Sequence, residues 1–223
     1  MATAAQLKRL VAPLLKQRGD LAFIDRMLIV RPVRHVLRAI LLDRTGDRAR
    51  FAVRPILMPI YHPHFLNLSW GWPISRPDGW SYAIDQPDAQ DFLIAELEQR
   101  ALPRLAAVHD IMSLKAHCEA HENRHHFEFG PHLSTAAALG DFDDARRICR
   151  ELKAKGSLEG PGGDAESTQY IEDRRVLCEL ICRDDRAAVI KLLHQREAAT
   201  AARWGLADIW EPSPFPLEAQ GGG

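Results

Sequence analysis

AFIDRMLIVRPVRHVLRAILLDRTGDRARFAVRPILMPI, residues 22–60, decides the fold class of this chain. It reads as three successive strands. Phe23–Arg31 is rich in β-branched and large apolar residues and stops at Pro32. Val36–Asp43 follows, then the turn-rich Arg44-Thr45-Gly46-Asp47, then Phe51–Ile60. The connections are too short for a crossover helix, so the strands are expected to be antiparallel hairpins. Pro55 and Pro59 lack the N–H that a central ladder uses, which places the third strand at an edge or breaks it there. Alternation puts Arg38 on the face of Val36, Ile40 and Leu42, and Arg54 on the face of Ala52, Ile56 and Met58. With the hairpin centred on Arg44–Arg48 the two arginines lie nearly opposite. Like charges across a ladder repel, so the pair calls for an acid, with Asp25 as candidate, or a bound anion.

Outward from this stretch, residues 3–18 carry Leu7, Leu10, Val11, Leu14 and Leu15 at helical spacing, with Pro13 as a kink or late start. Residues 61–85 read as loops and short strands around Trp70, Trp72 and Trp80, bringing the sheet to between three and five strands. From Pro87 on the pattern is helical: a helix interrupted at Pro103, another capped by Asp110, a short one from Pro131 to Gly140, and one capped by Asp141. Two long helices over 166–182 and 186–203 follow the Gly-rich stretch 156–164, which reads as a flexible loop. Leu139–Arg146 and Ile181–Ala188 repeat one turn-plus-cap signal, each joining two helices into a hairpin. The expectation is an α+β fold: an N-terminal helix and antiparallel sheet over 1–86, then helix hairpins over 87–223, packed as one unit. The apolar Pro-rich tail after Trp204 is expected to dock through Ile209, Trp210 and Phe215.

Hydrophobic residues make up 46% of the chain and charged residues 26%, ordinary values for a globular protein. No apolar run has the length of a membrane span, and the N-terminus lacks a signal-peptide pattern, so the expected location is cytoplasmic with no membrane partner. The four cysteines (118, 149, 178, 182) include no CxxC pair, fit a reducing compartment and read as mostly buried small hydrophobes. Net charge is −1, but residues 1–60 hold 12 Lys and Arg against 4 Asp and Glu, while the rest holds 17 against 26. Either the two parts neutralise each other, or the sheet offers Arg38 and Arg54, with Trp70 and Trp72 nearby, to an acidic protein partner. Without a reader motif or net positive charge, nucleic acid is not the expected partner.

The densest chemical cluster is His117, His121, His125 and His126 with Cys118, Glu119 and Glu122 interleaved. On one continuous helix, His117, His121 and His125 form a stripe at i, i+4 and i+8, able to share a zinc ion with Glu122 as a further ligand or base. The spacing is not HExxH, and a helix end near Asn123 would remove His125 from the stripe. His62-Pro63-His64 reads as an exposed loop, and Ser134-Thr135 and Ser167-Thr168 as helix starts. Without GxSxG, P-loop or GxGxxG, nothing points to acyl, phosphoryl or hydride transfer.

PLLKQRG (13–19), RHVLRAILLDR (34–44), and ALPRLAAVHD (101–110) before LKAHCE (114–119) resemble uncharacterised bacterial domain-of-unknown-function proteins, some related to immunity proteins that neutralise a neighbouring cell's toxin. AAALGDFDDARRICREL (136–152) is similar to one helix-turn-helix of a tetratricopeptide-like repeat, with incomplete aromatic and proline positions. The resemblance implies a fold, an N-terminal helix and antiparallel sheet before a helical half, more than a function. The expected function is a non-enzymatic protein-interaction module of the immunity type, without cofactor, acting by occluding a partner. The alternatives are a metal-dependent enzyme using the His117–His126 cluster with zinc, and a small-ligand binder at Trp70, Trp72 and Trp80.

Overall fold

The computed structural model describes residues 2–62, 74–75, 79, 81–120, 131–159 and 165–220. The chain forms two compact units. The first contains Met1–Met58, Asn67–Leu114 and Gly205–Glu211; the second contains Pro59–Leu66, Lys115–Trp204 and Pro212–Gly223.

The first unit starts with a helix broken in two, α1 (Ala4–Leu10) and α2 (Ala12–Gln17). Thr3 and Gln6 close a reciprocal cap that satisfies otherwise orphaned N–H groups, and Pro13 sits in the first turn of α2, where its missing N–H costs nothing. Leu7, Val11 and Leu14 are the positions this pair buries.

Among the described residues five antiparallel strands form one sheet in the order β1 (Leu21–Ile24), β2 (Met27–Val30), β3 (Val36–Arg44), β4 (Arg50–Pro59), β5 (Ser81–Ala83). The α+β class holds. The stretch 22–60 contains four strands rather than three, because Phe23–Arg31 folds back on itself at Asp25. That residue takes a left-handed conformation (φ 52°), which Asp tolerates better than most residues, and so β1 and β2 form a tight hairpin pairing Phe23 with Leu28. β2 then pairs with β3, Leu28 opposite Ile40. All four residues of β2 are buried, so it reads as a continuous apolar run rather than an alternating one. β4 is uninterrupted by its prolines because β5 pairs only with Arg50, Phe51 and Ala52; Pro55 and Pro59 lie beyond that ladder.

Arg26 enters the core of this unit beside the β1–β2 turn. It donates from Nε to the Leu42 carbonyl at 2.8 Å and from Nη1 to the Ala2 carbonyl at 2.8 Å, which ties the N-terminus to the sheet. α3 (Ala89–Glu96) runs into a π-helical turn, Leu97–Ala101, and then α4 (Leu102–Ala106). Pro103 can neither donate to the preceding turn nor fit a regular helix there, and the wider turn upstream absorbs the conflict. α5 (Ile111–Ala120) begins where expected, with the Ser113 N–H donating to Asp110 Oδ1 at 2.7 Å. The tail segment adds a parallel bridge: the Val33 N–H donates to the Ile209 carbonyl and the Glu211 N–H donates to the Val33 carbonyl, both at 2.8 Å.

The second unit is helical: α6 (His132–Leu139), α7 (Phe142–Ala154), α8 (Ala165–Cys182), α9 (Arg186–Arg203) and the short α10 (Pro216–Ala219). The sequence echo is a structural repeat. Gly140 (φ 77°) and Asp184 (φ 54°) both end a helix in the left-handed region, and Asp141 and Asp185 both cap the next with nearly identical backbone angles. Each capping carboxylate accepts from the N–H three residues on, at 3.1 and 3.0 Å. Arg146 joins the two turns by donating to Asp184 at 2.9 Å, and the Phe142 ring lies beneath both Arg146 and Arg186. Two hairpins, α6–α7 and α8–α9, therefore stack through α7 against α8. Asp141→Ala and Asp185→Ala should each lower unfolding free energy by about 1 kcal/mol, read from denaturant midpoints. Unchanged midpoints would remove the caps as the reason these helices start where they do.

Candidate functional site

Of the site residues expected from the sequence, Arg38, Arg54 and His117 lie among the described residues. Arg54 is exposed and pairs with Asp43 at 3.5 Å, so Asp43 rather than Asp25 supplies the acid; Asp25 is committed to the hairpin turn. Arg38 is half-buried and donates to the Pro32 carbonyl at 3.4 Å, and burial together with Arg34 pulls its guanidinium below the usual arginine range. The local +8 is also neutralised within the first unit, whose three segments hold 15 Lys and Arg against 13 Asp and Glu, a balance of +2. Acids from later in the chain join this unit, as Arg34 with Glu211 illustrates. Exchange of Arg54 for Gln should change stability by less than about 1 kcal/mol, because the Asp43 pair is open to solvent; a larger drop in a thermal melt would show that the pair holds the β3–β4 hairpin.

His117 lies on α5, while His121, Glu122, His125 and His126 lie outside the described residues, as do Trp70, Trp72, Trp80 and His64. Among the described residues no group of three or more His, Cys, Asp and Glu is placed to hold a metal ion.

Two features were missed by sequence reasoning. The first is a polar layer inside the second unit. His62 is buried rather than exposed in a loop, and its Nδ1 lies 2.8 Å from the Ser134 hydroxyl. Next to it the Tyr61 hydroxyl lies 3.1 Å from Thr135 Oγ1, and burial pushes the phenol well above its usual range. Ser134 and Thr135 lie in the first turn of α6, at a helix start as expected, and their hydroxyls tie down His62 and Tyr61. A Ser–His contact is also the minimum of an activated nucleophile, but at 2% and 4% exposure the pair offers no approach to a substrate. In the same unit Arg196 donates to the Asp173 carbonyl at 2.6 Å, and burial lowers its guanidinium to about 10.

The second feature is a groove between α7 and α8. Phe142, Ala145, Ile148, Cys149 and Leu152 form the buried stripe of α7, leaving charged residues outward. Leu177, Cys178 and Ile181 form the corresponding stripe near the end of α8. Where the stripes meet, Cys149 and Cys178 are joined in a disulfide with Cα atoms 5.6 Å apart. This corrects the reading of the cysteines as mostly buried small hydrophobes: helix packing brings two of them to bonding distance across 29 residues. Cys118 remains a buried thiol, pushed up to about 12 by burial. Cys182, one turn beyond Cys178, is exposed and free.

The disulfide, Cys182, Leu158, the cations Arg150, Lys153 and Arg175 and the acids Glu159 and Glu179 line a cavity of about 450 Å³. Most cations around it are committed. Arg175 donates to Glu172 at 2.6 Å and Glu179 at 3.2 Å, and Arg147 pairs with Asp144 and Glu151. Arg150 and Lys153 are exposed and have no ion-pair partner among the described residues. They stand at i and i+3 on α7, so the groove carries two neighbouring uncommitted positive charges. With Glu179 paired to Arg175, the two cations outweigh the Glu159 carboxylate on the same lining and can draw anionic groups toward an apolar floor containing a disulfide and a thiol.

No family model, curated protein or solved structure matches this chain.

Proposed function

We propose that this protein is a non-enzymatic, cytoplasmic protein-interaction module, of the immunity type that its sequence resembles, which occludes an acidic partner. The observation carrying this reading is the α7–α8 groove: two uncommitted cations beside an apolar floor, on a stack of helix hairpins with matched caps. Stacked hairpins present long exposed faces, an arrangement suited to binding extended partners. The sheet is a weaker candidate surface than the groove, because Arg54 is neutralised by Asp43 and Arg38 is half-buried. The partner's acids would meet Arg150 and Lys153, steering association in a salt-sensitive way.

The test is co-expression with the product of the gene beside its own, followed by size-exclusion chromatography and titration calorimetry. The expected result is a 1:1 complex and relief of any toxicity of that product. Affinity should fall about tenfold or more in the Arg150→Glu/Lys153→Glu variant, equivalent to 1.4 kcal/mol. The Arg38→Gln/Arg54→Gln variant should bind within about twofold of wild type. A neighbouring product that forms no complex, or a complex indifferent to the groove charges, sinks the reading.

A further inference from the structure

The geometry points to the α7–α8 groove as a thiol–disulfide exchange site whose ligand is an acidic low-molecular-weight thiol, with Cys182 as the resident acceptor thiol. Three of the four cysteines line one cavity, two of them joined in a disulfide and one a free thiol. Cys149 and Cys178 are 4% and 5% exposed, so their sulfurs are shielded from bulk solvent yet open onto a space large enough for a small thiol. Arg150 and Lys153, which outweigh the Glu159 carboxylate on the same lining while Glu179 is paired with Arg175, stand where the carboxylates of an incoming thiol can be held. The inference does not depend on a protein partner.

The exchange balances with one thiol. The incoming thiolate attacks Cys178 Sγ; the bond to Cys149 Sγ breaks, and Cys149 leaves as a thiolate that takes a proton. Cys178 now carries the mixed disulfide, one helical turn from Cys182, at the spacing where side chains on one helix face meet. The Cys182 thiolate attacks the external sulfur of that mixed disulfide, releasing Cys178 as a thiolate, which is protonated in turn. One thiol molecule has been added and no hydrogen lost. The inter-helix disulfide has become two thiols, and the oxidised sulfur has moved to an exposed position as a mixed disulfide on Cys182. Attack, leaving group and acceptor all follow ordinary thiolate chemistry. A disulfide in a reducing compartment is expected to be of this transient, responsive kind rather than a permanent staple.

The experiment uses the purified full chain, prepared without reductant, with reduced glutathione as the acidic thiol and cysteamine as a cationic one at equal thiolate concentration. Reactions are quenched by acid at intervals and read by intact mass and by peptide mapping after alkylation of free thiols. The expected result is a single adduct on Cys182 below the unfolding transition, formed about fivefold or more faster with glutathione than with cysteamine at low salt. That ratio should approach one at high salt, and also in Arg150→Glu/Lys153→Glu. In Cys182→Ser the adduct should remain on Cys178. The wild-type salt dependence stands even if the double variant folds poorly. The inference is overturned if the non-reduced protein contains no Cys149–Cys178 bond, if the bond opens only as fast as the protein unfolds, if both thiols react at one rate at low salt, or if Cys182 takes no adduct.

Discussion

Cys149→Ser should melt roughly 10 °C below the wild-type protein under non-reducing conditions. The bond closes a loop of 29 residues, and restricting a loop of that length in the unfolded chain contributes about 3–4 kcal/mol. For a chain of 223 residues each kcal/mol corresponds to about 2–4 °C of melting temperature. The cross-link also spans the stretch between α7 and α8, where no helix holds residues 155–159. Reduction of the wild-type protein should reproduce the serine variant's melting curve, and Cys182→Ser should melt like wild type, because that thiol is exposed and bonded to nothing. Coincident curves for oxidised and reduced protein would mean that the bond adds no stability and that packing along the α7 and α8 stripes holds the pair alone.

Phe215→Ala should cost about 3–5 kcal/mol, the range for truncating a fully enclosed aromatic. Phe215 is 1% exposed, meets the Tyr61 ring edge-on at 5.5 Å and lies 4.8 Å from the His194 ring. Its backbone N–H donates to Glu218 Oε1 at 2.7 Å, and the same oxygen lies 2.7 Å from His194 Nε2. One side chain thus anchors α10 to the second unit. Its loss should free the segment after Pro212 to protease, visible as early trimming of the C-terminus at temperatures where the rest stays intact. Phe215→Leu, which keeps most of the apolar volume, should cost less than half as much. An alanine variant within 1 kcal/mol of wild type, with an untrimmed tail, would show that the cavity collapses without consequence.

Much of the helical half is written locally. Asp110, Asp141 and Asp185 end up as caps because a short carboxylate beside an uncovered N–H satisfies it within three residues. Gly140 ends α6 because the left-handed conformation needed there costs a residue without a Cβ nothing. The apolar density of residues 22–60 carries the sheet, and its short connections carry the antiparallel sense. These signals lie within one turn or one hairpin, so sequence alone determined them.

Asp25 marks the limit of that legibility. A single Asp inside an apolar run looks like a polar residue on a strand, and only the pairing of β1 with β2 makes it a turn. The candidate groove lay wholly beyond the local signals. Cys149 and Cys178 share no motif; they meet because the buried stripes of two helices face each other, and a stripe does not name its partner. His62 finds Ser134 across 72 residues, and Arg26 finds the Leu42 carbonyl across 16, for the same reason. Acids from after residue 60 neutralise the basic sheet in the first unit, which no count along the chain could assign. Backbone hydrogen bonding and turn strain are settled by neighbours in sequence, so the sequence determined where elements begin and end. Which buried faces meet is settled by shape and packing across the whole chain, so the tertiary structure alone decided the disulfide, the polar layer and the two groove cations that have no ion-pair partner among the described residues.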